Sequence, residues 1–279
     1  NNLDSLFFFN DKNLLNKAFV YNLKISSNNR LEIKNNNNLV FNNVNLNGIS
    51  IYNKSELIIN NSLLINSYIN TKNSNIKLRD SFLNESSFYL NNSSVFFNNL
   101  IVKSCKKINI TSCENLIINN CLLYNNSKID LNKSFNNSII NNVFYNNNKA
   151  LIIKNKKGYN KVFNNLFVKN KTSLELKDSS IVYIINNNFH NNEIAIKALL
   201  NNKTNNFIIS KNNIYSYNLN DFKLKNNKIN HSYCISNKDT LLGYYNIFDN
   251  PLYINSKKFN YNLDSLSSAM RSGNNNKNL

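Results

Sequence analysis

The sequence predicts an all-β chain wound as a parallel β-helix, a solenoid of about nine to eleven coils with three short strands per coil. Three observations carry this. An Asn-Asn pair flanked by apolar residues returns about every twenty residues. The segments between pairs are short and rich in β-branched and aromatic residues, with no long amphipathic stretch of helical period. With four Gly and one Pro in 279 residues, the tight turns of β-hairpins are nearly excluded, so the strands must connect some other way.

The pairs stand in VFNNVNL (40–46), IINNSLL (58–64), FFNNLIV (96–102), IINNCLL (117–123), IINNVFY (139–145), VFNNLFV (162–168) and IINNNFH (184–190). A degenerate copy, KLRDSFL (77–83), puts Arg79-Asp80 in the paired slot. Before each pair stand Phe41, Ile59, Leu78, Phe97, Ile118, Ile140, Phe163 and Ile185. Two residues earlier come Leu39, Leu57, Ile76, Val95 and Leu116, then Ser138, Lys161 and Tyr183. That period of two predicts a first strand with one buried face. Beyond the pair, Leu63, Phe82, Ile101, Leu122, Phe144 and Phe167 predict a second strand. Ile108/Ile110, Ile129/Leu131, Leu151/Ile153, Leu174/Leu176 and Ile194/Ile196 predict a third.

The pair falls where one strand bends into the next. Asn tolerates left-handed backbone angles, and its amide bonds nearby backbone groups. Stacked amides can also bond one another from coil to coil. Asn42, Asn60, Asn98, Asn119, Asn141, Asn164 and Asn186 are therefore expected to form a structural Asn ladder. Residues 1–30 are expected to form an N-terminal cap or first turn, 31–235 the repeats, and 236–279 a C-terminal cap and tail, all in one continuous domain.

On these residues the chain resembles the right-handed parallel β-helix family that includes the pectate-lyase-like proteins. The tail adds to the resemblance: Asn250-Pro251-Leu252-Tyr253, Tyr261-Asn262-Leu263 and Ser267-Ser268-Ala269-Met270-Arg271-Ser272-Gly273 are similar to a terminal segment of bacterial members. That segment ordinarily has Asp, Pro and Asp where Asn250, Ser268 and Arg271 stand. The resemblance implies a single-stranded right-handed winding and an exported protein of the cell envelope or the extracellular space. It implies two activities for family members that are enzymes. Lyases use an Arg or Lys base with acidic residues holding Ca²⁺, and hydrolases use clustered Asp.

Asn makes up 73 of the 279 residues, and Lys, Ile, Leu, Phe and Tyr are also abundant, a set that AT-rich codons produce. Periodic placement of a 42% apolar content argues against disorder. The net charge of +18 points to a polyanionic partner, or to basic residues accumulated by the same codon bias. Nucleic acid is disfavoured, because no Gly- and Arg-rich segment or compact basic motif is present. No run approaches the roughly 18 apolar residues of a membrane span. Cys105, Cys113, Cys121 and Cys234 lack C-x-x-C spacing, so zinc is not expected, and buried free thiols are favoured over a disulfide.

The search for chemistry returns little. The four Gly stand alone, excluding phosphate-cradling loops, and G-x-S-x-G is missing. His190 and His231 are expected in turns or on the surface, and no metal site is expected from the scattered acids. The outward column of the third strand reads Asn109, Asp130, Ile152, Glu175, Ala195. Asp130 and Glu175, two coils or roughly 9.6 Å apart at the strand spacing, are the catalytic candidates. The next outward column reads Thr111, Asn132, Lys154, Lys177, Lys197, and those three Lys are the candidate glycan-binding row. Tyr52 and Tyr89 are possible outward platforms for sugar rings. The expected function is a non-catalytic repeat protein with a structural or glycan-binding role, for which acidic polysaccharide is the candidate partner and no cofactor is required. The alternative is a polysaccharide lyase or hydrolase acting on an acidic glycan, with Ca²⁺ if a lyase.

Overall fold

A computed structural model describes residues 17–35, 37–155, 157–177, 181–199, 207–225, 229–238 and 241–273. The chain is an all-β parallel solenoid of about ten turns. One twelve-stranded parallel sheet stacks the first strand of each winding, from Lys17–Tyr21 through Leu57–Asn60 and Tyr159–Phe163 to Gly243–Tyr244. The second and third strands of each winding stack as two further series. The second runs from Leu63–Ile65 to Ile247–Phe248 and the third from Tyr68–Lys72 to Asn220–Lys225. The two series join where Lys24–Asn35 and Asn45–Asn53 run unbroken through a corner. In the second of these strands the corner is Gly48, at φ +69°, where a Cβ would lie 2.2 Å from the Ser27 carbonyl oxygen. No side-chain-bearing residue fits there. Among the described residues no helix is long and apolar enough to cross a membrane.

Asn takes the corners for the expected reason. Asn43, Asn61, Asn99, Asn120, Asn141, Asn164 and Asn186 all have φ between 47° and 59°, and Asp80 takes the same conformation in the degenerate copy. The pairs do not stack as pairs, however. Asn98 lies beside Asn119, but Asn119 lies beside Ile140. Up to 119–120 the first Asn ends the strand and the second turns the corner. From 141–142 onward the first Asn turns the corner and the second points inward.

Because side chains alternate faces, this slip of one residue exchanges inside for outside. The first-strand core column continues from Ile118 into Ile139, Val162 and Ile184, all fully buried, in place of the expected Ile140, Phe163 and Ile185. The column before it continues through Asn137, Asn160 and Val182, so Ser138, Lys161 and Tyr183 face outward. In the second strand, Leu64, Leu83, Val102 and Leu123 fill the core, while Leu63, Phe82, Ile101 and Leu122 lie outside it. Phe144 and Phe167 are inward as expected. They begin a buried stack, Phe144–Phe167–Phe189–Tyr215, with centroids 4.7, 4.8 and 5.2 Å apart and planes within 5° of parallel.

The slip also divides the Asn ladder in two. The expected ladder lies toward the surface. There Asn61 donates to Asn42 (3.4 Å), Asn119 to Asn98 (2.9 Å), Asn141 to Asn119 (3.2 Å) and Asn164 to Asn141 (2.7 Å). A buried ladder runs through Asn142, Asn165, Asn187 and Asn213 at the first corner. A second, which the pair motif does not mark, runs through Asn126, Asn147, Asn170, Asn192 and Asn218 at the next corner. Each buried amide works in both directions along the axis. Asn165 Nδ2 donates to Ile139 O (2.9 Å) and Asn187 Oδ1 (3.0 Å), and its Oδ1 accepts from the Asn142 backbone N–H (2.9 Å). The corner polar groups that water would otherwise solvate are thus satisfied inside the rod. In earlier windings Ser fills these positions, as where the Ser62 N–H donates to Ser81 Oγ (3.1 Å) and the Ser67 N–H to Ser86 Oγ (3.2 Å).

The four cysteines are free and buried. Burial pushes the Cys105 and Cys121 thiols up to about 12, so they stay protonated.

Candidate polyanion-binding face

The third series of strands presents the candidate residues. Its central outward column is Tyr52, Asn70, Tyr89, Asn109, Asp130, Ile152, Glu175, Lys197 and Lys223, each beside the next. The expected order holds through Glu175. It then departs: Ile196 pairs with Leu174, so Lys197, not Ala195, lies next to Glu175. In the adjacent column Lys154 lies beside Lys177 as expected, but Leu199 follows where Lys197 was expected. Strand Ile194–Leu199 sits two residues from the expected register because Ile194 pairs with Thr172, at the edge of the preceding strand.

The two acids are buried under their lysines. Asp130 is 6% exposed and accepts from Lys154 Nζ at 3.0 Å and Lys128 Nζ at 3.3 Å. Glu175 is fully buried, with Lys149, Lys177 and Lys197 Nζ at 2.9, 3.1 and 3.4 Å. Burial pushes the Glu175 carboxyl up, but hydrogen bonds and charge from Lys149 and Lys177 outweigh it and hold the group at about 2. A carboxylate ionised at that pH has no proton to give near neutrality. Ile152 stands between the two acids, as the sequence predicts. Among the described residues no group of three or more His, Cys, Asp and Glu could hold a metal ion.

Toward the first windings the same face becomes aromatic. The Tyr52, Tyr68 and Tyr89 rings form a row, with centroids 5.8 and 5.3 Å apart. Lys34 Nζ lies 5.9 Å from the Tyr52 ring centre and Lys107 Nζ 4.9 Å from that of Tyr89. Lys107 thus begins the basic stretch where the tyrosines stop. Tyr68, Lys128 and Lys149 belong to this face although sequence reasoning passed over them. They occupy the outward column before the central one, where Ser50 is followed by Tyr68 and Ser87, and Lys128 by Lys149. Reading that third column beside the other two would have found them.

His190 and His231 are not surface residues. They are 9% and 3% exposed, and burial holds both at about 4, helped at His190 by the charge of Lys169. His190 lies under the C-terminal tail, against the rings of Tyr253 and Tyr261 (5.3 and 5.2 Å). His231 bonds Ser210 Oγ at 2.8 Å.

No protein-family model and no curated protein matches this chain.

Proposed function

We propose that this protein is a non-catalytic β-solenoid that holds an acidic polysaccharide along its third-strand face. The observation that carries this is the continuity of the face. Three tyrosines lead through Lys107 into a field of lysines that exceeds the two acids it encloses. Sugar rings would lie on the tyrosines with their C–H faces. Carboxylates or sulfates farther along the chain would meet the ammonium groups of Lys128, Lys149, Lys154, Lys177 and Lys197, whose side chains are 24–36% exposed. Steps of roughly 4.8 Å between windings approximate the length of a sugar residue, so a polymer parallel to the axis meets a charge at nearly every residue.

Catalysis at Asp130 and Glu175 is disfavoured on this reading. One acid is buried completely, both are neutralised by lysines, and an apolar side chain separates them. The resemblance completes the proposal: a right-handed winding, kinship with pectate-lyase-like bacterial proteins, and a place in the envelope or outside the cell.

Lys154, Lys177 and Lys197 are poor choices for a test, since removing them uncovers a buried carboxylate. The clean variant is Lys107→Gln with Lys223→Gln and Tyr89→Ala. Wild-type protein is expected to be retained on immobilised polygalacturonate and released by salt, and the variant to elute at clearly lower salt. Equal retention of the two, or equal binding to a neutral polysaccharide, would end the proposal. Release of unsaturated or reducing products from the polymer would favour the enzyme instead.

A further inference from the structure

A second concave site lies on a different sheet. Tyr159, Lys161, Phe163 and Tyr183 line a trough of about 360 Å³ on the outer surface of the first strand series. Two neighbouring strands build it, Tyr159–Phe163 and Ile181–Ile185, with Lys161 directly beside Tyr183. These outward positions result from the slip of register after Asn119. Lys161 and Tyr183 stood as polar intruders in an expected core column, and the slip makes them a surface.

The chemistry of the trough is specific. Lys161 Nζ lies between two rings, 5.6 Å from the centre of Tyr159 and 5.9 Å from that of Phe163. The ion pairs among the described residues give Lys161 no acid, unlike the five lysines that surround Asp130 and Glu175. Rings hold an ammonium in place without neutralising it, so the charge remains available to an anion. The walls are aromatic and Tyr159 is 41% exposed, so the trough is open to water along its rim. Such a site suits a ring with one apolar face, wet edges and a single negative charge. A flat aromatic acid would favour a closed slot that removes both of its faces from water.

We infer that this trough binds one hexuronic acid residue, its C–H face on the aromatic wall and its carboxylate on Lys161. The choice of sugar rests on the acidic-polysaccharide reading, but the site does not depend on the third-strand face.

The experiment is saturation-transfer NMR and calorimetric titration of the whole chain with D-galacturonic acid, its uncharged methyl ester and benzoate. Galacturonate is expected to bind. Lys161→Gln, Tyr183→Ala and the methyl ester are each expected to weaken binding about tenfold or more, the worth of one charge-assisted contact. The Lys107/Lys223/Tyr89 variant should bind the monomer as wild type does. Absence of galacturonate binding, indifference to Lys161→Gln, or benzoate binding as tightly would each overturn the assignment. Monomer binding without retention on the polymer would remove the third-strand proposal and leave this one standing.

Discussion

The Tyr253 hydroxyl donates to Asn188 Oδ1 at 2.6 Å, joining the C-terminal tail to the side of a winding 65 residues earlier. The rest of the tail follows the same path. Asn250 Nδ2 donates to the Tyr217 hydroxyl (2.6 Å), and Phe259 packs on Tyr145 (5.1 Å between centroids). The strand pair Tyr253–Asn255 and Asn260–Leu263, antiparallel in an otherwise parallel fold, therefore lies along the flank of the rod. Tyr253→Phe is expected to cost about 1–2 kcal/mol, because Asn188 and Ser216 lose a partner in a partly buried site. Limited proteolysis should then cut within 253–273 faster than in wild type. An unchanged cleavage rate would mean that the tail is anchored elsewhere.

The hydrogen bonds at this site fix the state of His190. Tyr253 gives its proton to Asn188, so Ser216 Oγ, 3.0 Å away, gives its own to Tyr253. His190 Nδ1, 2.9 Å from Ser216 Oγ, must then carry the hydrogen. His190 and His231 are held at about 4 against 6.5 in an unfolded chain. An unfolded chain takes up these protons first, so the contribution of both residues is complete above pH 6.5 and is lost as pH falls toward 4. The slope approaches about 1.4 kcal/mol per pH unit for each histidine. Melting temperatures measured between pH 7 and pH 4 should fall in this window, and His190→Gln should reduce the slope. A flat profile would contradict the burial of these rings.

The two kinds of Asn ladder should respond differently to truncation. Asn165→Ala takes an amide donor from the Ile139 carbonyl and leaves the Asn142 N–H without its Asn165 acceptor inside the rod, at about 1–3 kcal/mol. Asn98→Ala removes one bond at the surface and should cost less than about 0.5 kcal/mol. Urea denaturation of the two variants decides the matter. Similar midpoints would mean that the inner ladder contributes no more than the outer one.

Glu175 is the keystone of its lysines. Glu175→Gln leaves Lys149, Lys177 and Lys197 facing one another without an anion, and is expected to destabilise by about 3 kcal/mol. The carboxyl is depressed, so its contribution is complete above pH 4.5 and is lost as pH falls toward 2. The variant should show a smaller loss of stability than wild type over that acid range. A variant as stable as wild type at pH 7 would show that the lysines rearrange freely into solvent.

The winding was legible because one corner residue recurs and Asn suits a left-handed corner. Its register was harder to read, because Asn-Asn offers two ways to occupy that corner. Asn119-Asn120 and Asn141-Asn142 look identical in sequence, yet the second member turns the corner in one and the first member in the other. Ser138, Lys161 and Tyr183 in a supposed core column were the signal of the slip. On the third face, the central column could be followed from Asn109 to Glu175 by period two alone. Lys197 was misplaced because the pairing starts two residues away from the Ile194/Ile196 pattern. The contact of Tyr253 with Asn188 leaves no periodic trace, since a single long-range bond repeats nowhere.

Cys105, Cys113 and Cys121 occupy the inward positions at three successive corners of one winding. Toward the preceding winding, the Cys105 and Cys113 thiols reach the Leu83 and Leu90 carbonyls at 4.0 and 3.8 Å, where ladder amides bond at 2.9 Å. This cross-section joins serine-stitched windings to windings stitched largely by asparagine through long thiol contacts at the corners. Stretched end to end by a single-molecule force probe, the rod is expected to yield first at that seam, leaving two segments that each still hold their own windings.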